Sequence, residues 1–217
     1  MLTHNDVTVP NALEVFEGVK DAEVSFFGFK DIGLPFEEMR RLVNTLKGEG
    51  RKLVFETVSL TEEGCIRSVD SAINLGVDCF IGGPYREYAL EQVRSKGIKY
   101  FPYVGRAVGH PCMLRSSIDE VVSDARKAAA WGVDGITLLA YRYNGDVDRL
   151  LRSVRSAVDI PLIVAGDINS FERIRSVTEL DVWSFTIGSA IFERKFSTSS
   201  RLVDQLRAVL AEVERKK

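Results

Sequence analysis

Pro161-Leu-Ile-Val-Ala-Gly-Asp-Ile-Asn-Ser170, followed by Asp181-Val-Trp-Ser-Phe-Thr-Ile-Gly-Ser-Ala-Ile-Phe192, decides how the chain is read. Each half is a short β-rich run that ends in glycine and leads into a helix start. Gly166 and Gly188 lie 22 residues apart, one strand–helix unit, so they belong to adjacent parallel strands. Glycine N–H groups and a helix N-terminus brought together in this way form an anion cradle. Gly166, Asp167, Gly188 and Ser189 are therefore the expected phosphate-binding residues.

Working back from that stretch, the same rhythm recurs. Strands are predicted over residues 1–5, 23–30, 52–59, 78–83, 99–105, 133–141, 161–165 and 182–187. Helices are predicted between them, over 11–20, 35–49, 61–76, 85–96, 117–132, 146–158 and 170–179, with a last one over 198–215. Asn11 is a candidate cap for the first helix, with Leu13 and Phe16 on its buried face. Met39, Leu42, Val43 and Leu46 make the stripe of the second, and Ser117 with Glu120 reads as a capping box. Pro102 implies an irregular strand around it, and residues 106–115, with His110-Pro111, read as a long polar loop. Eight such units make a TIM (β/α)8 barrel, here one domain over residues 1–217. An open doubly wound sheet would carry a glycine-rich turn after its first strand, and there is none.

Composition narrows the function. Of the 217 residues 45% are apolar and 28% charged, with a net charge of −2. The charges are interspersed, so neither a nucleic-acid nor a membrane face is expected. The start Met-Leu-Thr-His-Asn-Asp does not read as a signal peptide, and the expected compartment is the cytoplasm. Cys65, Cys79 and Cys112 are odd in number and scattered, which suits packing rather than disulfides. With His4 and His110 the only histidines, no transition-metal site is expected, and no cofactor is called for.

Strand alternation places the chemistry. Phe27 and Phe29 suit a helix-covered outer face, which turns Lys30 inward at the end of its strand. Glu56 also faces inward, because pointing it at the helices would bury an unpaired carboxylate. The two therefore meet at the mouth where barrel active sites lie. A partly desolvated lysine can attack a carbonyl as a neutral amine, and Glu56 can carry protons for it; a structural ion pair is the competing reading. Asn5 and Asp6, ending the first strand, are expected to orient substrate hydroxyls. Arg106, after the fifth strand, suits a substrate carboxylate, and Tyr141, in phase with Gly135, Thr137 and Leu139, is expected to line the barrel.

Gly166-Asp-Ile-Asn-Ser-Phe-Glu with Phe185-Thr-Ile-Gly-Ser-Ala-Ile resembles the closing motif of the ribulose-phosphate-binding barrels. That superfamily includes ribulose-phosphate epimerases, indole-glycerol-phosphate synthases, phosphogluconate aldolases and N-acetylmannosamine-6-phosphate epimerases. The resemblance implies a TIM barrel acting on a small phosphorylated metabolite, and homodimers are common among such barrels. Phosphogluconate aldolases also use a lysine and a glutamate, although no local motif of theirs matches Gly28–Pro35. Asp167 departs from the pattern, and phosphate binding requires it to turn away and cap the helix starting near Ser170.

The expected function is lyase chemistry of the aldolase type on a small phosphorylated sugar or 2-oxo acid, through a Schiff base on Lys30. The alternative is a cofactor-free isomerase or epimerase in which Glu56 and Asp6 or Asp167 exchange a proton. A non-catalytic phospho-ligand binder, with Lys30 locked in an ion pair, is the third reading.

Overall fold

The computed structural model describes residues 1–83 and 86–215. Parallel strands Phe26–Lys30, Lys52–Glu56, Cys79–Ile81 and Lys99–Phe101 form one sheet in chain order. Ile136–Leu138, Leu162–Val164 and Ser184–Phe185 form a second, also parallel and in chain order. A parallel bridge between Tyr103 and Thr137 joins the two on one side. Residues 1–4 fill the other side: the Met1 amino group donates to the Ile187 carbonyl at 2.7 Å, and Leu2 N–H donates to Gly28 O at 2.6 Å. Hydrogen bonds thus run around the ring, and the fold is a TIM (β/α)8 barrel.

Alternation sorts the side chains as period two requires. Phe27, Phe29, Phe55, Phe80 and Tyr100 point outward and are buried under the helices. Full burial of each is worth about 2–3 kcal/mol. The helix Phe36–Gly48 meets them with Met39, Leu42, Val43 and Leu46, a helical stripe. Inside the barrel the two ends differ. At the N-terminal end of the strands Trp183 stacks on Phe101, centroids 5.1 Å apart, and meets Phe26 edge-on. At the C-terminal end Lys30 and Glu56 are directly paired in register. In barrels of this kind active sites lie at that end.

Several expectations change. The run 1–5 is not one strand: Thr3–His4 turns back through Asn5-Asp6 into Val7–Thr8, an antiparallel hairpin. The polar loop 106–115 is also a hairpin, Ala107–Val108 against Met113–Leu114. In the first helix, Ala12–Val19, Leu13 is exposed while Ala12, Phe16 and Val19 are buried, because spacings of four and three select that face. Asn11 makes no side-chain cap there; its amide donates to Glu14 instead. The strand before Pro102 stops at Phe101, yet Pro102 O still accepts from Thr137 N–H at 2.8 Å. Only an N–H is missing from proline, so the ladder survives. The capping box at Ser117 and Glu120 is present. The helix expected from Tyr85 is described from Arg86; Pro84, Tyr85 and the Lys216–Lys217 end lie outside the described residues. Among the described residues no helix is long and apolar enough to cross a membrane.

Candidate active site

Seven of the ten expected site residues line one small cavity of about 100 Å³ at the C-terminal mouth: Asp6, Lys30, Glu56, Gly166, Asp167, Gly188 and Ser189. Lys30 Nζ lies 2.8 Å from Asp6 Oδ1 and 3.2 Å from Glu56 Oε1, and only 7% of its side chain is exposed. Arg142 donates to both oxygens of Asp6, at 2.5 and 3.1 Å, and its Nε and Nη2 lie 3.3 Å from Asp167 Oδ1. The buried Tyr103 hydroxyl donates to Glu56 Oε1. Charges therefore alternate along one chain of contacts, Asp167, Arg142, Asp6, Lys30, Glu56.

This arrangement sets the protonation states. Burial would lower the Lys30 pKa, but Glu56 and Asp6 outweigh it and hold the ammonium above its ordinary range. For Asp6, burial raises the pKa, and Arg142 and Lys30 together overcome that, bringing it from 3.8 to about 2. Tyr103 is pushed well above the usual phenol range, first by burial and then by Glu56. At neutral pH the cavity holds an ammonium, a guanidinium and the Asp6 carboxylate. Among the described residues no three metal-ligating side chains come together.

The hairpin delivers Asp6. His4 and Val7 pair across a two-residue turn in which Asn5 and Asp6 both have positive φ, 50° and 62°. Such a turn prefers glycine at its second position. Aspartate, with its short polar side chain, enters that conformation more readily than most residues, and Lys30 and Arg142 both contact its carboxylate there. Asn5 does not meet the cavity with its side chain; its N–H donates to Ser189 Oγ at 2.9 Å and tethers the turn to the last strand's loop.

The glycine pair works through close approach. A Cβ on Gly166, where φ is +79°, would stand 2.7 Å from Arg142 Nε. A Cβ on Gly188 would stand 2.5 Å from Thr3 Oγ1. Gly166→Ala is therefore expected to cost about 1–2 kcal/mol from φ alone and to displace Arg142. Urea unfolding measures this, and an unchanged midpoint would contradict it. Asp167 does not cap the helix Phe171–Glu179 as expected. Ser170 does that by accepting from Arg173 N–H, which leaves Asp167 free to face Arg142.

Two other expected residues are elsewhere. Tyr141 lies in the 3-10 turn Ala140–Arg142, its ring under the Arg173 guanidinium at 4.7 Å and its hydroxyl on Arg173 O. That turn ends the alternation after Leu138 and sends Arg142, the next residue, into the cavity in its place. Arg106 is exposed and lines a different cavity. Tyr103, which the sequence reading missed, carried a signal: it follows the inward Phe101 by two residues, past Pro102.

No protein-family model matches the sequence, and no curated protein matches it. Solved structures do resemble it. A structure described as native KDPGal superposes over 98% of this chain and 92% of its own, with a TM-score of 0.70 and 13% identity. A mandelate oxidase covers 99% and 71%, with 0.66 and 19%. The glycerol uptake operon antiterminator regulatory protein of Listeria monocytogenes covers 86% and 89%, with 0.60 and 14%. At these identities the likeness is one of fold, and what the chain shares with all three is the TIM barrel.

Proposed function

We propose that the chain is a lyase of the aldolase type, acting on a small 2-oxo acid or phosphorylated sugar through a Schiff base on Lys30. The observation that carries this reading is a buried lysine held between two carboxylates at the catalytic end of the barrel. Apolar side chains in those positions would stabilise a barrel at least as well, and perturbed ion clusters gather where chemistry is done. The native KDPGal neighbour supports the barrel fold in which this chemistry would be housed.

In this reading Lys30 passes a proton to Glu56, and the freed amine adds to the substrate carbonyl. Glu56 returns the proton as the carbinolamine loses water, leaving an iminium. The iminium accepts the electron pair when the adjacent carbon–carbon bond breaks, as a base takes the β-hydroxyl proton. Protonation of the resulting enamine and hydrolysis then release the product and restore Lys30. A cavity of about 100 Å³ suits a small oxo-acid fragment rather than a whole sugar phosphate. The N–H groups at Gly166 and Gly188, with Ser189, are assigned to the substrate's anionic end, the charge of the neighbouring Asp167 being paired with Arg142 rather than turned away into a helix cap.

Lys30 must lose a proton before it attacks, and its carboxylate partners oppose that loss. Because that proton stays in the site on Glu56, the reactive form carries the same number of protons as the resting one, and kcat/KM is expected to stay level from pH 7 to 9. A rise of about tenfold per pH unit would show that the proton leaves to solvent and would rule out Glu56 as its acceptor. The second reading, proton exchange by an isomerase or epimerase, is favoured by the same raised pKa, since a permanent ammonium can polarise a carbonyl without bonding to it. Lys30→Arg separates the two.

A further inference from the structure

A cavity of about 860 Å³ lies on the barrel rim and shares no residue with the Lys30 cavity. It is bounded by the hairpin Ala107–Val108/Met113–Leu114, the helix Ile118–Ala130, and Tyr143 and Asn144. Arg106, Arg115 and Lys127 line it, and among the described residues none of these side chains has a hydrogen-bond or salt-bridge partner.

The two carboxylates in the wall are already committed. Glu120 accepts from the Ser117 N–H at 2.7 Å and its hydroxyl at 2.9 Å. Asp124 takes both Arg86 Nη atoms, at 2.6 and 2.8 Å, and the Gly105 N–H at 2.7 Å. Neither makes a direct ion pair with Arg106, Arg115 or Lys127; Glu120 is near enough to attract Arg106 and Asp124 to attract Lys127, and among the described residues Arg115 has no such neighbour in the wall.

The hairpin register makes the imbalance specific. Ala107 pairs with Leu114 and Val108 with Met113, and Arg115 N–H then donates to Arg106 O at 2.8 Å. Arg106 and Arg115 are thus directly opposed on adjacent strands. Like charges in that position destabilise a ladder. A fold that holds two arginines opposite each other, on the wall of an open cavity, and ties up the nearby carboxylates, is arranged for an anion. Guanidinium forks match the oxygens of a phosphate.

We infer that this cavity binds a phosphate dianion, free or as the end of an organic ester, between Arg106, Arg115 and Lys127. The inference stands apart from the chemistry assigned to Lys30, and binding tests it without turnover.

Calorimetric titration with inorganic phosphate, against sodium chloride at matched ionic strength, is expected to show saturable binding that Arg115→Gln weakens about tenfold. Arg115→Glu converts the opposed pair to an attractive one. In chloride it is expected to raise Tm by about 1–3 °C and to abolish the rise that phosphate gives the unaltered protein. Arg106→Gln provides a second variant with the same expected loss of binding. Glycerol phosphate distinguishes the sources: binding at least as tight as inorganic phosphate assigns an organic ester, and weaker binding assigns the free ion. Equal effects of phosphate and chloride, or phosphate binding unchanged in both Arg106→Gln and Arg115→Gln, overturn the inference.

Discussion

Lys30→Arg is expected to abolish turnover, on the order of 10⁴-fold in kcat, while the barrel stays folded. Arginine keeps the positive charge between Asp6 and Glu56, so the ion pairs that stabilise the mouth survive. What it lacks is a nitrogen that can deprotonate and bond to carbon. With the unaltered protein, borohydride added during turnover of a 2-oxo acid is expected to leave a reduced adduct on Lys30, read by peptide mass. Arg142 remains in the variant as before, so the loss would report bond formation rather than electrostatics. Retention of a tenth or more of the activity by Lys30→Arg, with no adduct formed, would instead establish proton exchange around a permanent ammonium.

The second large effect concerns Asp6. Asp6→Asn keeps the shape of the turn but removes the carboxylate shared by Lys30 and Arg142. Lys30 is left with Glu56, and Arg142 with the half-exposed Asp167 at 3.3 Å. Breaking a buried pair by removing one partner costs about 3–5 kcal/mol. For a chain of this size that lowers Tm by about 6–20 °C. The difference should itself depend on pH. The folded pKa of Asp6 lies near 2, below its ordinary 3.8, so on acidification the unfolded chain takes up the proton first. The stabilisation is present above about pH 4 and lost as the pH falls toward 2. The Tm gap between wild type and Asp6→Asn is expected to close over that interval. A gap that is small at pH 7, or constant down to pH 2, would show that Asp6 does not hold the mouth together.

How far the sequence could be read depended on whether a residue sits in regular structure. Lys30 and Glu56 were placeable because alternation along two uninterrupted strands leaves each side chain one of two directions, and burial costs choose between them. Gly166 and Gly188 were legible for a related reason, as strand ends in equivalent positions of successive units. Arg142 was not, because a single 3-10 turn after Leu138 breaks the alternation that had pointed to Tyr141. The N-terminal hairpin left a faint trace, Asn5-Asp6 between two short β-rich runs, but without the usual glycine at the second turn position. The role of Asp6 was beyond local pattern altogether. Its partners are 24 and 136 residues away, and only the closed barrel brings them together.

That closure has a consequence for the order of events as the protein forms. The contacts that complete the mouth are also among those most distant along the chain: Met1 to Ile187, Asn5 to Ser189, Asp6 to Arg142. Non-local pairings are favoured only after the entropy of closing the intervening loop has been met. During synthesis, the first eight residues must wait for strands made almost two hundred residues later. Until they dock, Arg142 lacks Asp6 and Lys30 lacks one of its two carboxylates. The chain of ion pairs at the mouth is thus incomplete in every partly built barrel until the N-terminal hairpin docks against Arg142 and the last strand.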